Sequence, residues 1–193
     1  VIVISSIAGG SGAGQFLDVI EVVKSTAQQY PWSNQFFSML YAPDVFDQLP
    51  VTSGMPGNAI AAIAETMNGF WTDTPSEATL ELLKNQGIAP SYGGAMDHVG
   101  AAYPFIVGRS NSKVTFSDQS AVYDAVATSL TAWMTDDRVQ DDITAYATGN
   151  WQRRVGASVL GDATGLMSPS RNSPPFSSIG FGRVTLGREK FLE

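Results

Sequence analysis

The residues of this chain that could do chemistry concentrate in one short run, Ser6-Ile7-Ala8-Gly9-Gly10-Ser11-Gly12-Ala13-Gly14. Glycines at 9, 10, 12 and 14 let the backbone turn with positive φ and let a ligand approach the main chain closely. An amphipathic stretch follows, so the run also offers the free N–H groups and the dipole of a helix N-terminus to an anion, and phosphate suits such a site. Two familiar phosphate loops are excluded by the spelling. A Walker loop ends in Gly-Lys-Ser/Thr, but the first lysine here is Lys24. A dinucleotide fingerprint needs G-x-G-x-x-G, whereas the spacing here is Gly10, Gly12, Gly14. Ser11 opens a different chemistry, because Gly9-Gly10-Ser11-Gly12-Ala13 is one residue away from the G-x-S-x-G nucleophile elbow. A serine hydrolase would then use Ser11 with His98, the only histidine, as its base. A glycine-rich turn without a ligand is the third reading.

His98 stands beside Asp97 in a glycine-rich stretch, Ala89 to Ala102, and reads as a surface or capping residue before it reads as a catalytic base. The run Asp136-Asp137-Arg138-Val139-Gln140-Asp141-Asp142 reads by default as a solvated helix end. With no cysteine, the chain has no disulfide, no thiolate zinc site and no cysteine nucleophile, which fits a reducing cytoplasm. A net charge of −7 argues against nucleic acid as the main partner, since a phosphate-backbone binder needs a basic face. Backbone dipoles can still hold one anionic nucleotide locally. No apolar stretch approaches the roughly 20 residues of a membrane span, and no signal peptide is visible.

The elements that must position the glycine run follow from apolar spacing. Val1 to Ile4 reads as a buried strand, and Phe16, Val19, Ile20 and Val23 form the apolar face of a helix, with Asp18, Glu21 and Lys24 off that stripe. Phe36 to Tyr41, stopped by Pro43, reads as a second parallel strand. The glycine run and the turn Ala42 to Asp47 would then share the carboxyl edge of one sheet, where open α/β folds bind ligands. After a Gly- and Pro-rich loop, Asn58 is placed as the N-cap of a helix whose core stripe is Ile60, Ile63, Met67 and Phe70. Thr74-Pro75-Ser76-Glu77 is a capping box for a short helix ending near Gly87. Pro104 to Gly108 reads as a third strand, and Val122, Val126, Leu130 and Trp133 give the strongest helical periodicity, over Ser120 to Met134. Ser168 to Pro175 reads as an exposed or mobile loop, and Phe176 to Leu186 as a strand broken by glycines.

The loop Ala8-Gly9-Gly10-Ser11-Gly12-Ala13-Gly14 also resembles the signature G-G-G-T-G-S/T-G loop of the tubulin and FtsZ family of GTPases, in the variant form of divergent bacterial tubulin-like proteins. Four glycines fall in register, Ser11 keeps a hydroxyl where the family has Thr, and Ala8 and Ala13 depart. The resemblance is closest over residues 1–24 and extends to residue 70, where Pro56-Gly57-Asn58-Ala59 is similar to a Pro-Tyr-Asn-Ala helix start. It implies a parallel three-layer Rossmann-like α/β sheet that lacks its three N-terminal strands here. Residues 1–135 would be a partial nucleotide-binding domain ending in its central helix, and 136–193 the start of a C-terminal subdomain. It also implies GTP or GDP with Mg²⁺ as ligands and a cytoplasmic, bacterial protein that self-associates head to tail into an oligomer or filament. By the same resemblance, Ala8 to Gly14 hold phosphate, Asp44 or Asp47 is the ribose carboxylate, and Asn58 lies on the ribose and base side. Asn111 recognises the guanine edge, Tyr123 stacks on the base or packs in the core, and Asp141 or Asp142 is the carboxylate that activates water in a neighbour's site. No metal-ligating cluster is assigned. A module of the same fold that binds nucleotide without hydrolysing it is an alternative, because Ala8, Ala13 and the missing Asn-x-Asp-x-x-Asp pattern depart from the family.

Overall fold

A computed structural model describes residues 1–27, 36–71, 103–153 and 176–179. Strand β1 (Ile2–Ser6) leads into helix α1 (Gly10–Ala27), then β2 (Phe37–Tyr41), a 3-10 turn (Pro43–Phe46) and α2 (Met55–Trp71). There follow β3 (Tyr103–Val107), α3 (Gln119–Thr135), α4 (Asp137–Arg153) and the short β4 (Ser177–Ser178). The strands form one sheet in the order β1-β2-β3-β4, every pair parallel. Ile2, Phe37 and Tyr103 stand in register, as do Ser6, Tyr41 and Val107 at the other end.

Alternation along the strands divides the core into two layers. Phe36 and Leu40, with Val1, Val3 and Ile106 beside them, pack against Ala13, Phe16 and Ile20 of α1 and Ala59 and Ala62 of α2. On the opposite face, Phe37, Met39, Phe105 and Val107 pack against Val122, Val126 and Trp133 of α3, with Val139 and Ile143 of α4 alongside. Trp133 meets Phe37 edge-on, ring centroids 4.7 Å apart, an arrangement that aromatic quadrupoles favour. Helices on both faces of a parallel sheet are the three-layer α/β arrangement expected from the sequence.

Several local readings change. The glycine run does not precede α1; it forms its first turn, because Ala13 N–H already donates to Gly9 O at 2.9 Å. Val19 is 47% exposed, whereas Glu21 and Lys24 are buried and paired at 2.9 Å one turn apart. Asn58 is not an N-cap: α2 begins at Met55, and Asn58 N–H already donates to Gly54 O at 3.1 Å. Ile60 is 62% exposed, and α2 turns the small residues Ala59 and Ala62 inward, which lets α1 and α2 approach closely. The acidic run is the exposed helix end it reads as, and it serves two helices: Asp136 N–H donates to Ala132 O at 2.9 Å to close α3. Asp136 caps α4, its carboxylate accepting from the N–H groups of Arg138 at 3.0 Å and Val139 at 3.2 Å. Carboxylates at a helix N-terminus complement the dipole. The stripe of α3 stands as read, with Asp118 as its N-cap. The capping box at Thr74, His98 and the segment 168–175 lie outside the described residues, as does most of the strand expected after Phe176. Among the described residues, no helix is long and apolar enough to cross a membrane.

Candidate functional site

Because the strands are parallel, the segments following β1, β2 and β3 emerge at one edge of the sheet. Two backbone bonds lace them together: Ile7 N–H donates to Tyr41 O at 3.1 Å, and Ala42 N–H to Val107 O at 2.8 Å. At the β1 end, Ile7 and Ala8 are buried, and Ala8 N–H donates to Ser6 Oγ at 3.1 Å. Ala8 O accepts from Asn58 Nδ2 at 2.9 Å. Ala13 faces the core with its N–H taken by Gly9 O, and Gly14 lies one turn into α1, where the helical ladder takes its N–H. Among the described residues, no acceptor takes the N–H groups of Gly9, Gly10, Ser11 and Gly12.

The glycines have different physical reasons to be there. None of those in the run adopts the left-handed region, so the positive φ expected from the sequence is not used. A Cβ on Gly12 would lie 2.3 Å from Ser6 O and 3.1 Å from Ser5 Oγ, so Gly12 is required by the close approach of α1 to β1. A Cβ on Gly9, Gly10 or Gly14 would meet nothing within 4 Å. Gly9 and Gly10 therefore leave open the space that their side chains would fill, beside the unaccepted N–H groups. Ser11 is exposed, and no side chain among the described residues hydrogen-bonds its hydroxyl.

The β2 and β3 ends carry the charged side chains. Asp44 Oδ2 accepts from Arg109 N–H at 2.8 Å and Ser110 N–H at 3.3 Å, so this carboxylate clamps the turn after β3. Asp47 is 46% exposed and pairs with Arg109 Nη2 at 2.7 Å. Arg109 Nε is buried without a partner. Asn111 Oδ1 accepts from the N–H groups of Lys113 and Val114, each at 2.8 Å, which leaves only its Nδ2 for any other group. Tyr123 packs edge-on against Tyr41 with centroids 5.1 Å apart, and its hydroxyl accepts from Gln119 Nε2 at 2.6 Å. Burial, and secondarily the neighbouring Tyr123, pushes the Tyr41 phenol above its ordinary range. The Asp118 carboxyl is held below its usual range, first by Ala121 N–H and then by the Ser117 hydroxyl. A cavity of about 250 Å³ opens beside these groups, lined by Arg109, Ser110, Asn111, Phe116, Val122 and Val126 among others.

Asp141 and Asp142 are exposed in the second turn of α4. The N-terminus of α3 stands at the carboxyl edge, where Gln48 Nε2 donates to Ser117 O at 2.9 Å. The 17 residues of α3 then carry the chain about 25 Å away, at 1.5 Å per residue, before α4 begins. The fold thus gathers the glycine run, Asp44, Asp47, Asn58, Asn111 and Tyr123 at one edge, and leaves Asp141 and Asp142 apart from them.

Beside this arrangement, a glycine-rich helix N-terminus on the first of several parallel strands with carboxylate and amide turns on the next two, stands a match of the sequence to a protein family. The family described as "Tubulin like" matches residues 1–193. The chain belongs to the tubulin-like family. No curated protein and no solved structure matches it. Membership is consistent with the parallel α/β sheet. Two contacts at this sheet edge escaped sequence reasoning. The Asn58 bond to Ala8 joins residues 50 positions apart, and nothing local announces it. The Arg109–Asp47 pair depends on β2 and β3 being neighbours, although a charged residue directly after an apolar strand was a visible signal.

Proposed function

We propose that this tubulin-like chain binds a guanine nucleotide, GTP or GDP, across the carboxyl edge of its sheet. The observation that carries the reading is the set of N–H groups at Gly9, Gly10, Ser11 and Gly12 with no acceptor among the described residues, beside the open space at the Cβ positions of Gly9 and Gly10. They stand at the positive end of an 18-residue helix with no acidic residue in its first turn. A di- or triphosphate supplies acceptor oxygens and negative charge to that end. Adjacent strands lie about 4.8 Å apart, so the turn after β3 is about 10 Å from the phosphate end, of the order of a nucleotide's own base-to-phosphate reach. The ribose then faces the turn after β2, where Asp47 is the available carboxylate and Asp44 is engaged by two backbone N–H groups. Asn111 Nδ2 and the ring of Tyr123 serve the base, the amide as a donor and the ring by its face.

Among the described residues, no three acidic or histidine side chains converge to hold a metal. A magnesium ion bound with the nucleotide would be held by its phosphates, which is how Mg²⁺ is often bound. The chemistry it supplies is neutralisation of phosphate charge. Hydrolysis would need a carboxylate to orient water. Asp141 and Asp142 are exposed and stand the length of α3 away from their own glycine run, which suits delivery to a second copy arranged head to tail.

Titration calorimetry with GTP, GDP and ATP in the presence of Mg²⁺ tests the reading. Guanine-selective binding is expected, and binding of none of the three refutes it. A turnover assay across protein concentrations then separates two forms of the proposal. A rate per molecule that rises with concentration is expected for catalysis in trans, whereas retained binding without turnover identifies a non-hydrolysing assembly module.

A further inference from the structure

We infer that Asn58 is the positioning residue that keeps the phosphate-binding peptide turned the right way, an inference that rests on the nucleotide reading above. The peptide between Ala8 and Gly9 contributes one of the unaccepted donors, Gly9 N–H. Upstream of it, Ala8 is buried and its N–H is held by Ser6 Oγ at 3.1 Å; downstream, Gly9 O is held by Ala13 N–H at 2.9 Å. The plane between those anchors has one restraint of its own, the bond from Asn58 Nδ2 to Ala8 O at 2.9 Å. In a planar trans peptide the C=O and the N–H point in opposite directions. A carbonyl fixed toward Asn58 therefore aims Gly9 N–H away from α2. Glycine at 9 lets the plane rotate with little steric cost, and a rotated plane would turn the Ala8 carbonyl oxygen toward the anion and the donor away from it.

The side chain suits this task chemically. A carbonyl oxygen needs a donor, and the amide of Asn supplies one without charge, while a carboxylate of the same size would repel it. Asn58 is itself held in the first turn of α2, its N–H donating to Gly54 O at 3.1 Å and its neighbour Ala59 buried against α1. Residues 47–54 lead directly into that turn, so the loop proposed to face the ribose and the loop proposed to hold phosphate share one rigid anchor.

The test compares GDP with guanosine by titration calorimetry on the full chain, the latter in competition with GDP, for the unsubstituted protein, Asn58→Ala and Asn58→Asp. Loss of one hydrogen bond that orients a donor to a charged group should weaken GDP about ten-fold in Asn58→Ala. It should weaken GDP further in Asn58→Asp and leave guanosine unchanged in both. Equal losses for GDP and guanosine, or unchanged GDP affinity, overturn the inference, since a merely structural role would not single out the phosphates. Should Asn58→Ala fail to fold, Asn58→Ser, which keeps a small polar residue in α2, carries the same comparison. If the unsubstituted chain binds GDP and the variants show no phosphate-specific loss, this inference alone falls. If the unsubstituted chain binds neither ligand, the nucleotide reading falls and takes this inference with it.

Discussion

Replacing Gly12 with alanine sets a steric cost against a helical gain at a position where the geometry fixes both. The new Cβ would lie 2.3 Å from Ser6 O, 3.1 Å from Ser5 Oγ and 3.3 Å from the Ser6 carbonyl carbon, and the first contact has to open to at least 3.0 Å. Two of these atoms belong to the backbone of β1, which is paired along its length with β2, so the strain cannot be relieved by turning a side chain. Overpacking of this kind costs about 1–3 kcal/mol, and the upper end applies where backbone meets backbone. Alanine returns about 1 kcal/mol through its helix propensity. The net expectation for Gly12→Ala is a loss of about 2 kcal/mol, or a fall in Tm of about 4–8 °C for a domain of this size. Gly14→Ala, two residues along the same helix, meets nothing within 4 Å and should instead gain about 0.5–1 kcal/mol. Urea unfolding of both variants beside the parent reads the difference directly. Equal stability of the two variants, or a Gly12→Ala protein as stable as the parent, would refute the close approach of α1 to β1 as the reason for this glycine.

Gly10→Ala should leave stability near that of the parent, because its Cβ enters open space, but should weaken GDP binding at least ten-fold if phosphate needs that space; unfolding and calorimetry on one preparation check both halves. Asp44→Ala removes the acceptor for Arg109 and Ser110 N–H and should cost about 1–3 kcal/mol, measured by urea unfolding. The folded pKa of Asp118 is depressed, so its capping contribution is present above the unfolded carboxyl value near 3.8 and is lost as pH falls below it. Asp118→Asn keeps an N-cap side chain but does not titrate, so the stability advantage of the parent over this variant should shrink as pH drops through about 4 and on toward 2. An advantage that stays constant across that range would contradict the hydrogen bonds assigned to the carboxylate.

Much of the frame was legible because it depends on short-range pattern. The apolar runs at Val1, Phe36 and Pro104 each became a parallel strand to within one or two residues, and the Val122, Val126, Leu130, Trp133 stripe became the inner face of α3. The glycine run was legible as a strand-to-helix junction, because its missing Cβ atoms and the apolar runs on either side are properties of local sequence. The turns after β2 and β3 were legible only as places. Asp44 and Asp47 were interchangeable in the sequence, and the structure separates them, since one carboxylate faces the backbone turn after β3 and the other faces Arg109.

What the sequence determined by itself is therefore the order of β1 to α3, the parallel sheet and the position of the glycine loop at its carboxyl edge, because chain sterics, alternation and capping act over a few residues; α4 (Asp137–Arg153) has no place in the sequence reading. The tertiary structure alone decided which polar and apolar residues are buried. Glu21 and Lys24 are inside and Ile60 is outside: α1 keeps Phe16, Ile20 and Val23 on the core face, while the small residues Ala13, Ala59 and Ala62 share that core and Ile60 is turned out of it. It also decided that Gly12 serves packing while Gly9 and Gly10 leave space, and that Asn58 reaches back to Ala8. Both depend on distances between segments brought together by the sheet, which no local spacing encodes.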